Sequence, residues 1–145
     1  MIYKDWGSLE RDIVDKVRLA TQEAQTASLE RLSKYLDRFY DTPEPKVYKR
    51  TGLLGSSASA PHFQPTSNGG IGAIEMNDDV NYTTGTYSTD WVFQDAEIGH
   101  PPSNMLGNPY FWWDTMMDIE YEIIPNVFGK YFTKVYRGGY APLFI

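Results

Sequence analysis

The histidines His62 and His100 are the first residues to consider for chemistry, because imidazole is the commonest general base and metal ligand near neutral pH. The chain contains no others, and each stands beside a proline in a segment rich in turn residues. Neither is paired with a second histidine at the spacing that places two ligands on one face of a helix. We therefore predict neither a catalytic base nor a metal site at these positions.

Three acidic residues, Asp114, Asp118 and Glu122, follow one another at intervals of four, so a helix would place them on one face. Carboxylates in such a row can do acid–base chemistry only if burial separates their pKa values. A solvated acidic face explains the same spacing without catalysis. The segment "NDDVN", residues 77–81, offers oxygen ligands for calcium but lacks the alternating pattern and final glutamate of a dedicated calcium loop.

The glycine-rich segments lack the motifs that bind phosphates or activate a serine. The stretch "NGGIG", residues 68–72, has no lysine and no strand-to-helix context. The stretch "TGLLGSS", residues 51–57, lacks the glycine spacing of a nucleophile elbow. The chain contains no cysteine, which excludes disulfides and thiolate ligands. The sequence therefore predicts a protein that is not an enzyme and holds no cofactor or metal.

Length and charge narrow the class of protein further. A chain of 145 residues fits one domain, which can bury about 70% of its unfolded surface. Its formal net charge of -6 argues against a protein that grips nucleic acid through a basic face. The first residues lack the basic start and apolar run of a signal peptide, and no apolar run approaches the length of a membrane span. We therefore expect neither a signal peptide nor a membrane span.

A long helix is predicted over residues 1–40. Apolar residues recur there at intervals of three and four, after Ser8 as the N-cap: Leu9, Ile13, Val17, Ala20, Ala24 and Ala27. Alanine in the middle of this row permits close approach of a second element but buries little surface. The helix either lies across its own sheet or packs partly outside its own domain. Pro43 and Pro45 then end it.

Residues 41–107 have the composition of a linker, loops and antiparallel strands. A hairpin is expected within residues 55–70, with "SNGG" at its tip. Segments rich in β-branched and aromatic residues follow, separated by turn residues, and we predict strands there: Ile71–Met76, Val80–Tyr87 and Trp91–Ala96.

Residues 108–145 are predicted to form a C-terminal helix and a tail. Asn108 and Pro109 form a helix start, Pro125 should kink or restart the helix, and at least one of Trp112 and Trp113 should face the core. The order of elements predicts a single α+β domain. In it, the long N-terminal helix and the C-terminal helix pack on a small antiparallel sheet of three to four strands.

The segment "KVYKRTGLLGSS", residues 46–57, lies between the predicted helix and the first strands. Its Tyr48, Arg50, Thr51, Gly52, Leu54 and Ser56 resemble the pattern that opens the sheet in a family of bacteriophage tail-completion proteins of long-tailed phages. The resemblance continues in order along the chain. It includes the glycine-rich hairpin region, the stretch "WVFQDAEIGH" at residues 91–100, and the Pro-aromatic start of the last helix at residues 108–111.

The resemblance implies a non-enzymatic structural protein of the virion neck. Such proteins assemble as rings of identical copies that join the head connector or adaptor to the tail-tube or tail-terminator protein. DNA passes through the ring without specific binding, and no membrane is involved. The expected location is the head–tail interface of the virion, with the host cytoplasm as the place of assembly.

Within that resemblance, Thr51, Gly52 and Leu54 would form a structural corner, because glycine tolerates a positive φ and leucine anchors the turn. The guanidinium of Arg50 would pair with a carboxylate of a neighbouring subunit. Other expected subunit contacts lie in loops and in the tail: His62, Phe63, His100, Tyr140 and Phe144. The acidic row at residues 114–122 would face a neighbouring subunit or the lumen, where carboxylates repel DNA.

An aromatic-rich binding module is the alternative function. The chain contains eleven Tyr, seven Phe and four Trp, which is enough to build a platform for sugar rings. The residues expected on such a platform are Tyr82, Tyr87, Trp91, Trp112 and Trp113. A glycan-binding, capsid-decorating or tail-tip protein would fit this composition.

Overall fold

The first helix, α1, runs from Trp6 to Phe39 in the computed structural model, which describes residues 4–41, 54–77, 89–98 and 109–135. The predicted helix is therefore confirmed. Its predicted N-cap is wrong, because the carboxylate of Asp5 caps the helix by accepting a hydrogen bond from the backbone N–H of Ser8 at 2.7 Å. An aspartate oxygen reaches the third backbone donor of a helix, so α1 begins earlier than a Ser8 cap would allow.

Four short strands form two antiparallel pairs within the described residues. Strand β1 (Ala58–Ser59) pairs with β4 (Glu75–Met76), and β2 (Gln64–Thr66) pairs with β3 (Gly69–Ile71). The pair β2–β3 is the predicted hairpin, with Ser67 and Asn68 at its turn. The ring of Phe63 lies over Gly70 so closely that a Cβ atom at position 70 would stand 1.9 Å from the ring. The glycine is therefore required for this contact.

One predicted strand is a helix. The prediction of a strand at Trp91–Ala96 is wrong, because these residues belong to α2 (Thr89–Ile98). The side chains of Phe93 and Ala96, three residues apart, both pack in the core, while Gln94 between them is exposed. That interval fits one face of a helix and not the alternation of a strand. The predicted strand at Val80–Tyr87 lies outside the described residues.

The C-terminal helical region has three parts: α3 (Phe111–Asp118), a π-helical segment (Ile119–Ile123) and α4 (Ile124–Val135). The predicted start at Pro109 is two residues early, since Tyr110 adopts a left-handed φ of 67° and α3 begins after it. At the π-helical segment the N–H of Ile124 bonds to the carbonyl of Ile119, five residues back. This irregularity ends at Ile123, and α4 begins at Ile124, so α-helical geometry restarts one residue before Pro125, which lacks a backbone donor.

The core lies where the C-terminal half of α1 meets α2, α3 and the chain around residue 54. Its buried members are Leu32, Leu36, Phe39, Leu54, Ala96 and Phe111, and the partly buried side chain of Trp112 packs against them. The expectation that one of the two adjacent tryptophans faces the core is therefore confirmed. Along its length α1 contacts α3, α4, β1 and β3, so it lies across elements of its own chain.

The fold class is α+β, as predicted, with a long N-terminal helix, a C-terminal helical region and short antiparallel strands. The described strands make two small sheets in place of one sheet of three to four strands. Strands β1 and β4 have two residues each, so the sheet they form offers the helices little surface for packing. The helices therefore supply most of the buried surface.

Candidate assembly surface

The predicted acidic row lies against α1 of the same chain. Arg31 contacts two of its members, with 2.6 Å from Nη1 to Oδ2 of Asp118 and 2.9 Å from Nη2 to Oε1 of Glu122. Arg38 contacts the third, with 2.8 Å from Nη2 to Oδ2 of Asp114. The row therefore shares one helix face, as its spacing predicted, but that face is an ion-paired helix contact and not simply a solvated surface. A role of these residues in a lumen or subunit contact stays a prediction.

The carboxylate of Asp118 is the centre of this contact. It accepts hydrogen bonds from the hydroxyl of Tyr35 and from Arg31. Partial burial disfavours its charged form, but these bonds outweigh burial, so the pKa of Asp118 lies below its ordinary value. The hydrogen bond that Tyr35 donates to Asp118 correspondingly raises the pKa of the tyrosine. The contact therefore stabilises the ionised form of the Asp118 carboxylate.

We expect the free energy of unfolding to fall as the pH drops below about 4, partly because of Asp118. Its pKa is lower in the folded chain than the ordinary value of 3.8, so the folded state binds fewer protons there. The stabilisation is complete above the unfolded pKa and is lost as the pH falls through the folded pKa. Urea unfolding at a series of pH values should show a shallower acid loss for Asp118→Asn than for the wild type. The exposed Glu120→Gln serves as control, and equal acid loss in all three proteins would contradict the assignment.

A row of large apolar side chains is exposed along α3, the π-helical segment and the start of α4. Its members follow at intervals of three and four residues, and we call them the exposed stripe: Tyr110, Trp113, Met117, Tyr121 and Ile124. Tyr121 is 68% exposed and Trp113 is 61% exposed. Such intervals place Trp113 and Met117 on one side of α3, and the other members are exposed at matching intervals before and after them.

The exposed stripe is comparable in size to the largest apolar patch on a typical monomer. Aromatic side chains have about 150–250 Å² each, so the three in the stripe, at least half exposed, present on the order of 350 Å². The largest apolar patch on a typical monomer is roughly 300–600 Å² and often marks an interaction site. Between Phe111 and Ile124 the chain has four carboxylates and no basic residue. The exposed stripe is therefore an apolar surface with an acidic border.

The start of the exposed stripe is fixed by a side chain of α2. The carboxylate of Glu97 accepts hydrogen bonds from the backbone N–H groups of Trp112 at 2.8 Å and Trp113 at 2.7 Å. The backbone N–H of Tyr110 donates to the carbonyl of Glu97 at 2.7 Å. Tyr110 itself gives no side-chain cap. Glu97 therefore supplies the cap of α3, and its charge suits the positive end of the helix dipole.

Replacing Glu97 by alanine should lower the free energy of unfolding by about 1–2 kcal/mol, the usual value of a lost helix cap. The variant Glu97→Gln keeps one carbonyl acceptor and should lose less. Urea unfolding followed by circular dichroism measures both. A matched control is Glu120→Ala on the exposed side of the same region, which should change stability by less than about 0.5 kcal/mol. An equal loss in both alanine variants would contradict the cap.

Of the corner motif, the described residues are Leu54 and Ser56. Leu54 is 5% exposed and belongs to the core, as predicted, while Ser56 is exposed. The turn is fixed by a 3.2 Å hydrogen bond from the N–H of Ser57 to the carbonyl of Leu54. The N–H of Gly55 donates to the hydroxyl of Tyr40 at the end of α1, at 3.0 Å. The predicted corner members Tyr48, Arg50, Thr51 and Gly52 lie outside the described residues.

The predicted contact residues His62 and Phe63 lie in the segment that leads into the hairpin. His62 is exposed, and Phe63 is half-buried. A groove of about 550 Å³ separates Phe63 and Pro65 from Leu19 and Gln22 of α1, and we call it the hairpin groove. The other predicted contact residues lie outside the described residues: Arg50, His100, Tyr140 and Phe144.

Arg18 holds the hairpin against α1 at the edge of the hairpin groove. Its Nε donates to the carbonyl of Gly69 at 3.0 Å, and its Nη2 donates to the carbonyl of Thr66 at 2.5 Å. Gln25 donates to the carbonyls of Pro61 and Ala73, each at 2.8 Å. Arg18 and Gln25 of α1 thus hold both ends of the hairpin through hydrogen bonds to its backbone. These bonds set the position of the hairpin wall of the groove relative to α1.

An apolar cavity of about 470 Å³ lies between β4, α2 and α3. Its lining includes Ile74, Met76 and Phe93, and two acidic residues border it, Glu75 and the α3 cap Glu97. Among the residues that the structure describes, no group of three His, Asp or Glu side chains is placed to hold a metal ion. Within the same residues, no helix combines the length and apolar character needed to cross a membrane.

Sequence reasoning missed both the exposed stripe and the hairpin groove. The intervals of the stripe are visible in "NPYFWWDTMMDIEYEII", residues 108–124. The same segment also contains the inward-facing Phe111, Thr115 and Ile123, so the intervals alone do not reveal which side is buried. The groove joins residues about 45 positions apart in the chain and leaves no sequence signal.

Comparisons with known proteins found no matching family model, no similar curated protein and no similar solved structure. The family resemblance of the segment at residues 46–57 therefore stays a prediction.

Proposed function

We propose that this chain is a non-enzymatic structural protein of a bacteriophage neck, which forms a ring that joins the head connector to the tail tube and lets DNA pass. The observation that carries the proposal is the exposed stripe, an apolar surface on a helical region that ion pairs join to α1. Surfaces of this kind mark contacts with other proteins. The resemblance of the segment "KVYKRTGLLGSS" to tail-completion proteins is the reason for proposing a phage neck over other protein assemblies.

The charge of the surface supports a protein partner over nucleic acid. The segment of the stripe has four carboxylates against the two arginines that contact it, Arg31 and Arg38, so its net charge is negative and repels phosphate groups. Arg31 and Arg38, which contact the acidic row, are paired with carboxylates of the same chain, so their charges are used within the chain and not for binding phosphate. A ring through which DNA passes without retention needs a chain of this character.

Cross-linking mass spectrometry on intact virus particles from the source of this chain tests the proposal. The reactive amines include those of Lys4, Lys34 and Lys130, which are exposed. Links between copies, together with links to the connector and tail-tube proteins, are expected. Links confined to major capsid or tail-fibre proteins, or absence of the chain from the particle, would overturn the proposal.

An aromatic-rich binding module is the second candidate, and the exposure of Trp113 between Tyr110 and Tyr121 favours it. Trp112, which was also expected on such a platform, packs against the core. Tyr82 and Tyr87 lie outside the described residues, as does the side chain of Trp91. A glycan array would separate the candidates, since a sugar that quenches tryptophan fluorescence and is lost with Trp113→Ala would support the module. A neck protein should bind no sugar.

A further inference from the structure

The apolar cavity between β4, α2 and α3 has walls that the core holds in place. Phe111 is a core residue, and Phe93 and Trp112 pack against the core while they line the cavity. The hydrogen bond from the backbone N–H of Trp112 to Glu97 fixes the start of α3 against α2. The volume of about 470 Å³ lies within the roughly 300–1,000 Å³ of sites that bind ligands. The cavity is therefore formed before an occupant arrives.

The border of the cavity is acidic. Glu75 and Glu97 line it, and no basic residue occurs among the described residues of its lining. Glu97 is engaged as the cap of α3. Glu75 is exposed, and its carboxylate accepts a long hydrogen bond of 3.4 Å from the hydroxyl of Ser59. Such a border attracts a cation beside an apolar occupant and repels a carboxylate.

The cavity also follows the edge of a strand. The consecutive residues Ile74, Glu75 and Met76 all line it, although successive side chains of a strand point to opposite faces. The strand therefore meets the cavity along its edge. Neither residue of β1 lines the cavity, so this is the edge of β4 that does not pair with β1. An extended polypeptide can add to such an edge through main-chain hydrogen bonds, which favours a chain segment as the occupant.

The segment "YAPLFI", residues 140–145, has the composition that this cavity accommodates. Four of its six residues have large apolar side chains, and none is charged. Pro142 favours extended geometry in the residue before it. Arg137 is the only charged residue within residues 136–145. The segment thus combines apolar side chains, a preference for extended backbone and a nearby cation.

The end of α4 lies far from the cavity of the same chain. Glu23 of α1 accepts a hydrogen bond from the hydroxyl of Tyr131 in α4 at 2.6 Å. Phe39 of α1 meets Phe111 in the cavity wall, with 6.1 Å between ring centroids. At 1.5 Å per residue these two contacts are roughly 24 Å apart along α1. Val135 lies one turn beyond Tyr131, so it stands roughly 30 Å from the cavity.

The chain between Val135 and Tyr140 is too short to cross this distance. Its five residue steps span at most about 18 Å when fully extended. Residues 140–145 therefore cannot lie together in the cavity of their own chain. The same segment of a second copy has no such limit.

From this geometry we infer that residues 140–145 of one copy dock as an extended segment in the apolar cavity of a second copy. Leu143 and Phe144 fill the apolar part beside β4, and the acidic border attracts Arg137. A contact between two different surfaces of the same chain repeats from copy to copy and closes into a ring when its rotation permits. The inference rests on the proposed function, since the ring provides the second copy, and it names the contact between its subunits.

A labelled peptide tests the contact on the full-length chain. The variant Phe144→Glu disables the segment and leaves the cavity open, so a fluorescein-labelled peptide of residues 136–145 should bind it saturably, as measured by anisotropy. Adding Ile98→Lys should weaken binding by about tenfold or more, because Ile98 lines the cavity. Ile98 is 64% exposed, so this variant should fold, which circular dichroism checks. Adding Tyr121→Lys on the exposed stripe is the control and should leave binding unchanged.

Three results of this titration would overturn the contact. The first is a peptide that does not bind Phe144→Glu. The second is equal binding with and without Ile98→Lys. The third is equal binding of a scrambled peptide of the same composition.

Single cysteines test whether the contact joins two copies, because the chain has no cysteine of its own. A short bis-maleimide should join Leu143→Cys to Ile98→Cys in a mixture about tenfold faster than it joins either variant to itself, since docking raises the local concentration of the two thiols. A chain with both substitutions should give covalent dimers and larger species. Equal rates in the mixture, or a monomeric product closed within one chain, would contradict docking between copies.

The two proposals fail separately. Cross-links between Leu143→Cys and Ile98→Cys in solution, with no copies in the virus particle, would sustain the contact and reject the neck. Copies in the neck without these cross-links would sustain the neck and reject this contact.

Discussion

Phe111→Ala should lower the free energy of unfolding by about 3–5 kcal/mol, the largest effect expected from a single substitution in this chain. Phe111 is 2% exposed and meets the ring of Phe39 edge-on, with 6.1 Å between ring centroids. It joins α3 to the core around Leu32 and Leu36. Removing the ring loses its buried surface and leaves a cavity that the helices cannot fill without moving. Urea unfolding followed by circular dichroism measures the loss.

Tyr121→Ala is the matched control for Phe111→Ala, since it removes an aromatic ring of similar size from the same helical region. Its side chain is 68% exposed, so its loss should change the free energy of unfolding by less than about 0.5 kcal/mol. Phe111→Leu, which refills part of the space, should lose less than the alanine variant. A comparable loss for Phe111→Ala and Tyr121→Ala would show that α3 does not pack on α1 in this way.

Arg31→Met should lower the free energy of unfolding by about 1.5–3 kcal/mol, the usual value of a hydrogen bond to a charged group. The substitution keeps a long apolar stem but removes the cation that contacts Asp118 at 2.6 Å. The Asp118 carboxylate is then left with the hydroxyl of Tyr35 as its remaining hydrogen-bond donor among the described contacts. A partly buried carboxylate without its cation is the cause of the expected loss.

Lys130→Met is the control, because Lys130 contacts Glu23 of the same helix α1 at 2.7 Å with its own side chain 57% exposed. Exposed ion pairs contribute little, so we expect a clearly smaller loss than for Arg31→Met. A double-mutant cycle of Arg31→Met and Asp118→Asn isolates the first contact, with an expected coupling of about 1–2 kcal/mol. A coupling near zero would show that Arg31 and Asp118 do not stabilise each other.

These two contacts explain how a large apolar stripe can stay in solvent. Phe111 anchors the start of α3, and Arg31 holds the helical region at Asp118, the last residue before the π-helical segment. The exposed stripe faces away from both contacts. A binding surface on a helix fixed at two points loses little conformational entropy on association, which favours tight contact with a partner.

The sequence predicted most where a pattern was local. The intervals from Leu9 onward indicated α1, because one side of a helix recurs every three or four residues whatever it packs against. The stretch "SNGG" indicated the β2–β3 hairpin, because serine, asparagine and glycine are common turn residues. Pro125 indicated the interruption before α4, since proline cannot donate a backbone hydrogen bond.

The wrong prediction of a strand at Trp91–Ala96 has a local cause as well. These residues have the composition of a strand, and strand propensity depends strongly on the surroundings of a segment. Packing of Phe93 and Ala96 in the core decides for the helix α2, whose Glu97 then caps α3. Neither contact is visible from the composition of the segment alone.

The acidic row at residues 114–122 shows what the sequence determined and what the tertiary structure determined. The sequence by itself determined that Asp114, Asp118 and Glu122 share one helix face, because their spacing matches the helical repeat. Only the tertiary structure decided that this face meets Arg31 and Arg38 of α1 while the exposed stripe beside it stays in solvent. The reason is physical: spacing fixes the direction of side chains around their own helix, whereas burial and ion pairing depend on elements distant in the chain.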